Sequence, residues 1–177
     1  FFSNSGAEAN ECAIKVARKY SAAKKGAGCF NIVTLSQSFH GRTLTTLAAT
    51  GQDHFHQDFL PLTPGFRHVE ANNVAALRET VDETTAGIMI EIVQGEGGVN
   101  PLSREFVAEC QKLALEKDIP LIVDEVQTGN GRTGSLYAYQ QFGITPDVVT
   151  TAKGLGGGLP IGACMMSAKC ESVLGFG

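Results

Sequence analysis

The sequence predicts an α/β fold, with a mostly parallel sheet flanked by helices. Three observations carry this. Apolar runs and amphipathic runs alternate along the chain. The apolar runs are hydrophobic on both faces, as strands covered by helices on two sides must be. No repeat, low-complexity segment or linker interrupts them, and 177 residues at 43% apolar suffice for one domain with a proper core.

Each element has its own warrant. Residues 7–24 read as a helix: Cys12, Val16 and Tyr20 recur at four-residue steps with Ala13 and Ala17 beside them, and Lys and Arg take the other face. Ser5 is its N-cap, and Glu8, three residues on, completes a capping box. The β-branched and aromatic run CFNIVTL at 29–35 is a strand. A short strand at 68–70 leads to a helix over 73–80, and the run at 86–93 is a strand broken by Glu91. Residues 103–118 form an amphipathic helix capped by Ser103. A buried strand at 119–125 ends in acids, 135–143 is a short helix, 147–153 is a strand ending at Lys153, and 161–167 is another.

Composition narrows the function. A net charge of −4 with scattered Lys and Arg argues against nucleic acid as the main partner. No apolar run approaches the ~18 residues of a membrane span, and no signal peptide opens the chain. Five widely spaced cysteines without a CxxC read as reduced thiols of a cytoplasmic protein. His54 and His56 form an HxH pair, but nothing around them completes a ligand set, so no metal is expected. The opening at a helix entry without Met, and the stop at LGFG, predict a piece of a longer protein.

In parallel sheets, ligands sit beyond the carboxyl ends of the strands, and the unusual residues collect there. In TTAKGLGGGLP, Lys153 precedes Gly154, Gly156, Gly157 and Gly158. A phosphate-cradling loop has its lysine after the glycines, so this is not one. A non-catalytic nucleotide-binding module would place a helix after the glycines, where Pro160 and the apolar IGACMM follow instead. Asp124 ends LIVDE; if its strand neighbours that of Lys153, a carboxylate and an amine share one pocket. SFHGRT brings Phe39 and Arg42 to the same edge, with Gly41 permitting a sharp turn, and EIVQGEGG adds Glu91 and Glu96. Ser5, Gly6 and Ala7 open a helix, whose free N–H groups and dipole favour a phosphate. Together these suit pyridoxal phosphate, which needs a lysine for its Schiff base, an acid to keep the pyridine nitrogen protonated, and a phosphate seat.

The stretches SNSGAEANE, SFHGRT, EIVQGEGG, IVDEVQTGNGRTG and TPDVVTTAKGLGGGLPIGA resemble the class-III, fold-type-I aminotransferases, over nearly the whole chain. The resemblance implies that Lys153 carries the cofactor and Asp124 pairs with its ring nitrogen. Val126 and Phe39 would pack on the ring's two faces, Gln127 would contact its 3-oxygen, and Ser5, Gly6 and Ala7 would hold its phosphate. Arg42 would grip a substrate carboxylate, and Glu96 would gate which carboxylate binds. The strand at 161–167 would be antiparallel. The likeness is to the family's acetylornithine branch, implying transfer of the terminal amino group of N-acetylornithine to 2-oxoglutarate in arginine biosynthesis. Ornithine, succinylornithine and 4-aminobutyrate branches use the same machinery. The chain would be the central part of the large cofactor-binding domain, without the N-terminal segment or C-terminal small domain, in a homodimer.

Overall fold

The computed structural model describes residues 1–175. A short strand β1 (Phe2–Ser3) leads into α1 (Gly6–Lys25), then β2 (Asn31–Leu35), α2 (Leu44–Ala49), β3 (Phe66–Val69), α3 (Val74–Thr80) and β4 (Thr85–Ile90). A hairpin of β5 (Val93–Gln94) and β6 (Asn100–Pro101) precedes α4 (Arg104–Glu116), β7 (Leu121–Asp124), β8 (Val148–Thr151) and β9 (Gly162–Met166). Local chemistry sets the helix starts. The hydroxyls of Ser5 and Ser103 accept the N–H groups of Glu8 (3.2 Å) and Phe106 (3.1 Å), as N-caps should. The Glu8 carboxylate reaches back to the N–H of Asn4 (2.7 Å), one residue before the cap.

Seven strands form one sheet in the order β1-β9-β8-β7-β4-β2-β3. From β3 to β8 all neighbours are parallel; β9 runs antiparallel to β8, as expected of 161–167. The sheet is buried on both faces. Ile88 and Ile90 of β4 point into one core with Phe106 of α4, while Ala86 and Met89 point into the other with Val16 and Ala17 of α1. After β2 the chain goes outward to β3, then crosses back to β4 on the other side of β2 and continues to β7 and β8. The strand order therefore reverses at β2 and β4, the place where open α/β sheets leave a crevice.

Several boundaries differ from expectation. The run 86–93 is interrupted after Ile90, because Glu91 turns inward and the chain lifts into the β5–β6 hairpin. The segment 135–143 is a 3₁₀ turn (Ala138–Phe142) rather than a regular helix. Helix α2 was not legible: LTTLAA is too short and too rich in Thr to show a helical period, and the Thr43 and Thr46 side chains cap it instead. The strand expected at 147–153 stops at Thr151, leaving Lys153 two residues beyond it at φ 44°. The HxH pair serves the fold: His56 Nε2 reaches the carbonyls of Leu47 and Thr50 (3.0 and 2.8 Å), and His54 packs on Phe55.

Candidate active site

The carboxyl ends of β2, β4, β7 and β8, with the N-terminus of α1, frame a cavity of about 410 Å³. All ten residues singled out from the sequence line it: Ser5, Gly6, Ala7, Phe39, Arg42, Glu96, Asp124, Val126, Gln127 and Lys153. Strands β7 and β8 are indeed neighbours, with Asp124 in register with Thr150. The carboxylate and the amine therefore face one space.

Asp124 is 4% exposed and held from three directions. Its Oδ2 accepts from Asn10 Nδ2 (2.7 Å) and contacts His40 Nδ1 (2.8 Å), while Oδ1 accepts the N–H of Val126 (3.0 Å). Burial opposes a charge on His40, but the hydrogen bond and charge of Asp124, with the charge of Glu91, outweigh it and raise its pKa. Glu91 is also buried, and desolvation pushes its pKa up to about 7, against the pull of His40. Its Oε2 accepts the Phe39 N–H (3.0 Å), fixing the turn after β2. The sequence reading missed Asn10 and His40 and left Glu91 without a task. A signal existed for Asn10, a polar residue on the apolar face of α1; His40 offered none beyond its place in SFHGRT.

Lys153 also lines the cavity and donates to Gln127 Oε1. Gln127 in turn packs on Gly95, where a Cβ would lie 1.7 Å from its Nε2, so the glycine loop at 95–98 and the end of β7 close on each other. The glycines after Lys153 now have a physical reason. Gly157 and Gly158 take φ of 56° and 114°, conformations that side chains disfavour, and so return the chain into β9 within a few residues.

At the other end, Gly6 and Ala7 begin the 20-residue α1, whose N–H groups and dipole face the cavity. A Cβ on Gly6 would lie 2.7 Å from Val126 Cγ1, and one on Gly162 would lie 2.3 Å from the Ser5 carbonyl. Close approach of backbone thus seats the helix start against β7 and β9. Arg42 lies over the rings of Phe39 (4.9 Å) and Phe55 (5.4 Å), and makes no ion pair among the described residues. Glu96 lies exposed at the rim.

The family model described as Aminotransferase class-III matches residues 1–177. The chain belongs to the class-III aminotransferases. An acetylornithine aminotransferase of Haemophilus ducreyi is 54% identical over all of this chain and 45% of its own length. A succinylornithine transaminase of Citrobacter koseri is 51% identical over all of the chain and 44% of its own length. Among solved structures, an ornithine aminotransferase of Toxoplasma gondii superposes at a TM-score of 0.93 with 35% identity, over 99% of this chain and 43% of that one. The chain thus spans less than half the length of these relatives.

Class-III aminotransferases depend on pyridoxal phosphate, and the donor set of this cavity fits it. A buried carboxylate, an amine lining the same cavity and a helix N-terminus are the three polar features the cofactor requires. All five cysteines are unpaired and buried, and among the described residues no helix is long and apolar enough to cross a membrane.

Proposed function

We propose that the whole protein is a pyridoxal-phosphate aminotransferase that moves the terminal amino group of N-acetylornithine to 2-oxoglutarate. The observation that carries this reading is that buried Asp124, at the end of β7, and Lys153, two residues past the end of the adjacent β8, line one cavity. The identity to acetylornithine aminotransferases supports the choice of donor. Since a succinylornithine transaminase is nearly as similar, N-succinylornithine is the second reading.

The cofactor, when bound, supplies an electron sink for charge that develops on the substrate carbon. Lys153 would hold it covalently and, once displaced by the substrate amine, carry a proton to and from that carbon at Nζ. Asp124 would keep the ring nitrogen protonated. Val126 and Phe39 would flank the ring, Gln127 would meet its 3-oxygen, and Ser5 with the N–H groups of Gly6 and Ala7 would bind its phosphate. Arg42 would grip a substrate carboxylate with its fork of donors, and Glu96 would decide which carboxylate reaches it. The chain would be the central part of the large domain of a cytoplasmic homodimer.

Glutamate formed by the full-length protein from 2-oxoglutarate, with N-acetylornithine, N-succinylornithine, ornithine and 4-aminobutyrate as donors, tests the proposal. N-acetylornithine should give the highest kcat/KM. Preference for ornithine or 4-aminobutyrate would overturn the assigned donor.

A further inference from the structure

We infer that Asn10, itself fixed by Thr150, is a positioning residue that holds Asp124 as an anion, so that the proton stays on the cofactor's ring nitrogen. The inference rests on the cofactor reading above and extends it to two residues outside the expected set. Asn10 lies on α1 and is 1% exposed. Its Nδ2 donates to Asp124 Oδ2 (2.7 Å) and to the His40 carbonyl (2.8 Å). Its Oδ1 accepts from the hydroxyl of Thr150 (2.6 Å), on β8. Both amide hydrogens and the amide oxygen are used. Turned over, the amide would set its oxygen against a carboxylate and a carbonyl, two acceptors, so one orientation satisfies the site. This brace joins α1, the turn after β2, and strands β7 and β8 around a single carboxylate.

Hydrogen bonds to the charged form of an acid weaken its hold on a proton. A proton between a carboxylate and a pyridine nitrogen rests on the more basic of the two. Each donor that Asp124 receives therefore favours the proton on the ring, and each donor removed draws it toward Asp124. Thr150 is fully buried and does not line the cavity, and its hydroxyl donates to Asn10, so a change confined to that hydroxyl reaches the ring through Asn10. A role confined to packing would alter stability and leave the proton where it was.

The test uses the full-length holoenzyme, reconstituted with pyridoxal phosphate isotopically labelled at the ring nitrogen and read by nitrogen NMR at fixed pH. The wild type should show a protonated ring nitrogen. Asn10→Ala should move the resonance toward the neutral form, Thr150→Val should move it less in the same direction, and Thr150→Ser should restore it. Turnover of Asn10→Ala should fall about 10-fold, with KM for 2-oxoglutarate within about twofold of wild type. A wild-type resonance in Thr150→Val and, where it folds, in Asn10→Ala would overturn the inference, whatever their melting temperatures. If Asn10→Ala does not fold, Thr150→Val against Thr150→Ser decides. A wild-type protein that takes up no labelled cofactor would instead overturn the reading on which the inference stands.

Discussion

Replacing Asp124 with Asn keeps shape and removes one acceptor, and the structure allows the consequence to be worked out. If the new Nδ2 takes the place of Oδ2, it meets the donor of Asn10 and the Nδ1 of His40, at the positions now 2.7 and 2.8 Å away. If it takes the place of Oδ1, it meets the N–H of Val126, now at 3.0 Å. The second orientation opposes one pair of donors instead of two and should prevail. A buried donor left without an acceptor costs about 1–3 kcal/mol. His40 also loses its anion, but it can shed the proton of its partnerless Nε2 and still donate Nδ1–H to the amide oxygen, which keeps the total near the middle of that range. About 2 kcal/mol corresponds to a fall of roughly 2–4 °C in Tm for a protein of its relatives' length, more than twice that of this chain. The assay is thermal unfolding of the full-length protein without cofactor at pH 7, beside kcat of the reconstituted enzyme. Turnover should fall about 100-fold or more, because an amide cannot hold the ring nitrogen's proton by its charge. An Asp124→Asn protein with unchanged Tm and kcat would refute the buried, anionic role of this residue.

Two further outcomes are expected. Arg42→Lys should lower kcat/KM for both the amino donor and 2-oxoglutarate by ~10–100-fold, since an ammonium cannot reproduce two parallel bonds to a carboxylate. Its cofactor occupancy should hold; loss of cofactor and stability with normal KM values would mean that Arg42 only pins the turn against Phe39 and Phe55. Glu91 bears on pH. Its folded pKa of about 7 exceeds the ordinary 4.5, so the folded state binds its proton more tightly and stability declines as pH rises between those values. His40, also raised, contributes in the same direction: its share is complete below pH 6.5 and is lost as pH climbs through its folded value. Glu91→Gln still accepts the Phe39 N–H but cannot ionise, so above pH 7 it should exceed the wild type by up to roughly 3 kcal/mol in urea unfolding. Equal pH slopes in the two proteins would contradict the burial of this charge.

The alternation of buried strands and capped helices was legible because burial on both faces and capping chemistry leave direct marks in sequence. LIVD and VVTT are apolar enough to announce covered strands, and Ser5 and Ser103 stand where their helices begin. That the motif residues would gather at one cavity was legible because they stand just past strand ends and at a helix start. What stayed hidden depends on tertiary partners. Thr150 looks like any β-branched strand residue until its hydroxyl is seen on Asn10. His40 looks like a turn residue until the sheet brings Asp124 to it across 84 positions of chain. The glycines after Lys153 suggested room for a ligand, whereas at 157 and 158 the backbone itself requires them. Lys153 stands past its strand because the chain must turn there to enter β9, a constraint that an apolar run cannot display.

The central claim is that Lys153 carries the cofactor, and one measurement reaches it directly. Borohydride reduction of the full-length holoenzyme, followed by digestion and mass spectrometry, should find pyridoxyl label on the peptide bearing Lys153. Lys153→Ala should still bind cofactor reversibly through the helix N-terminus, yet show no fixed label and no measurable turnover. Label on Lys15, Lys112 or Lys169 in the wild type, or a labelled Lys153→Ala protein that still turns over, would contradict the account.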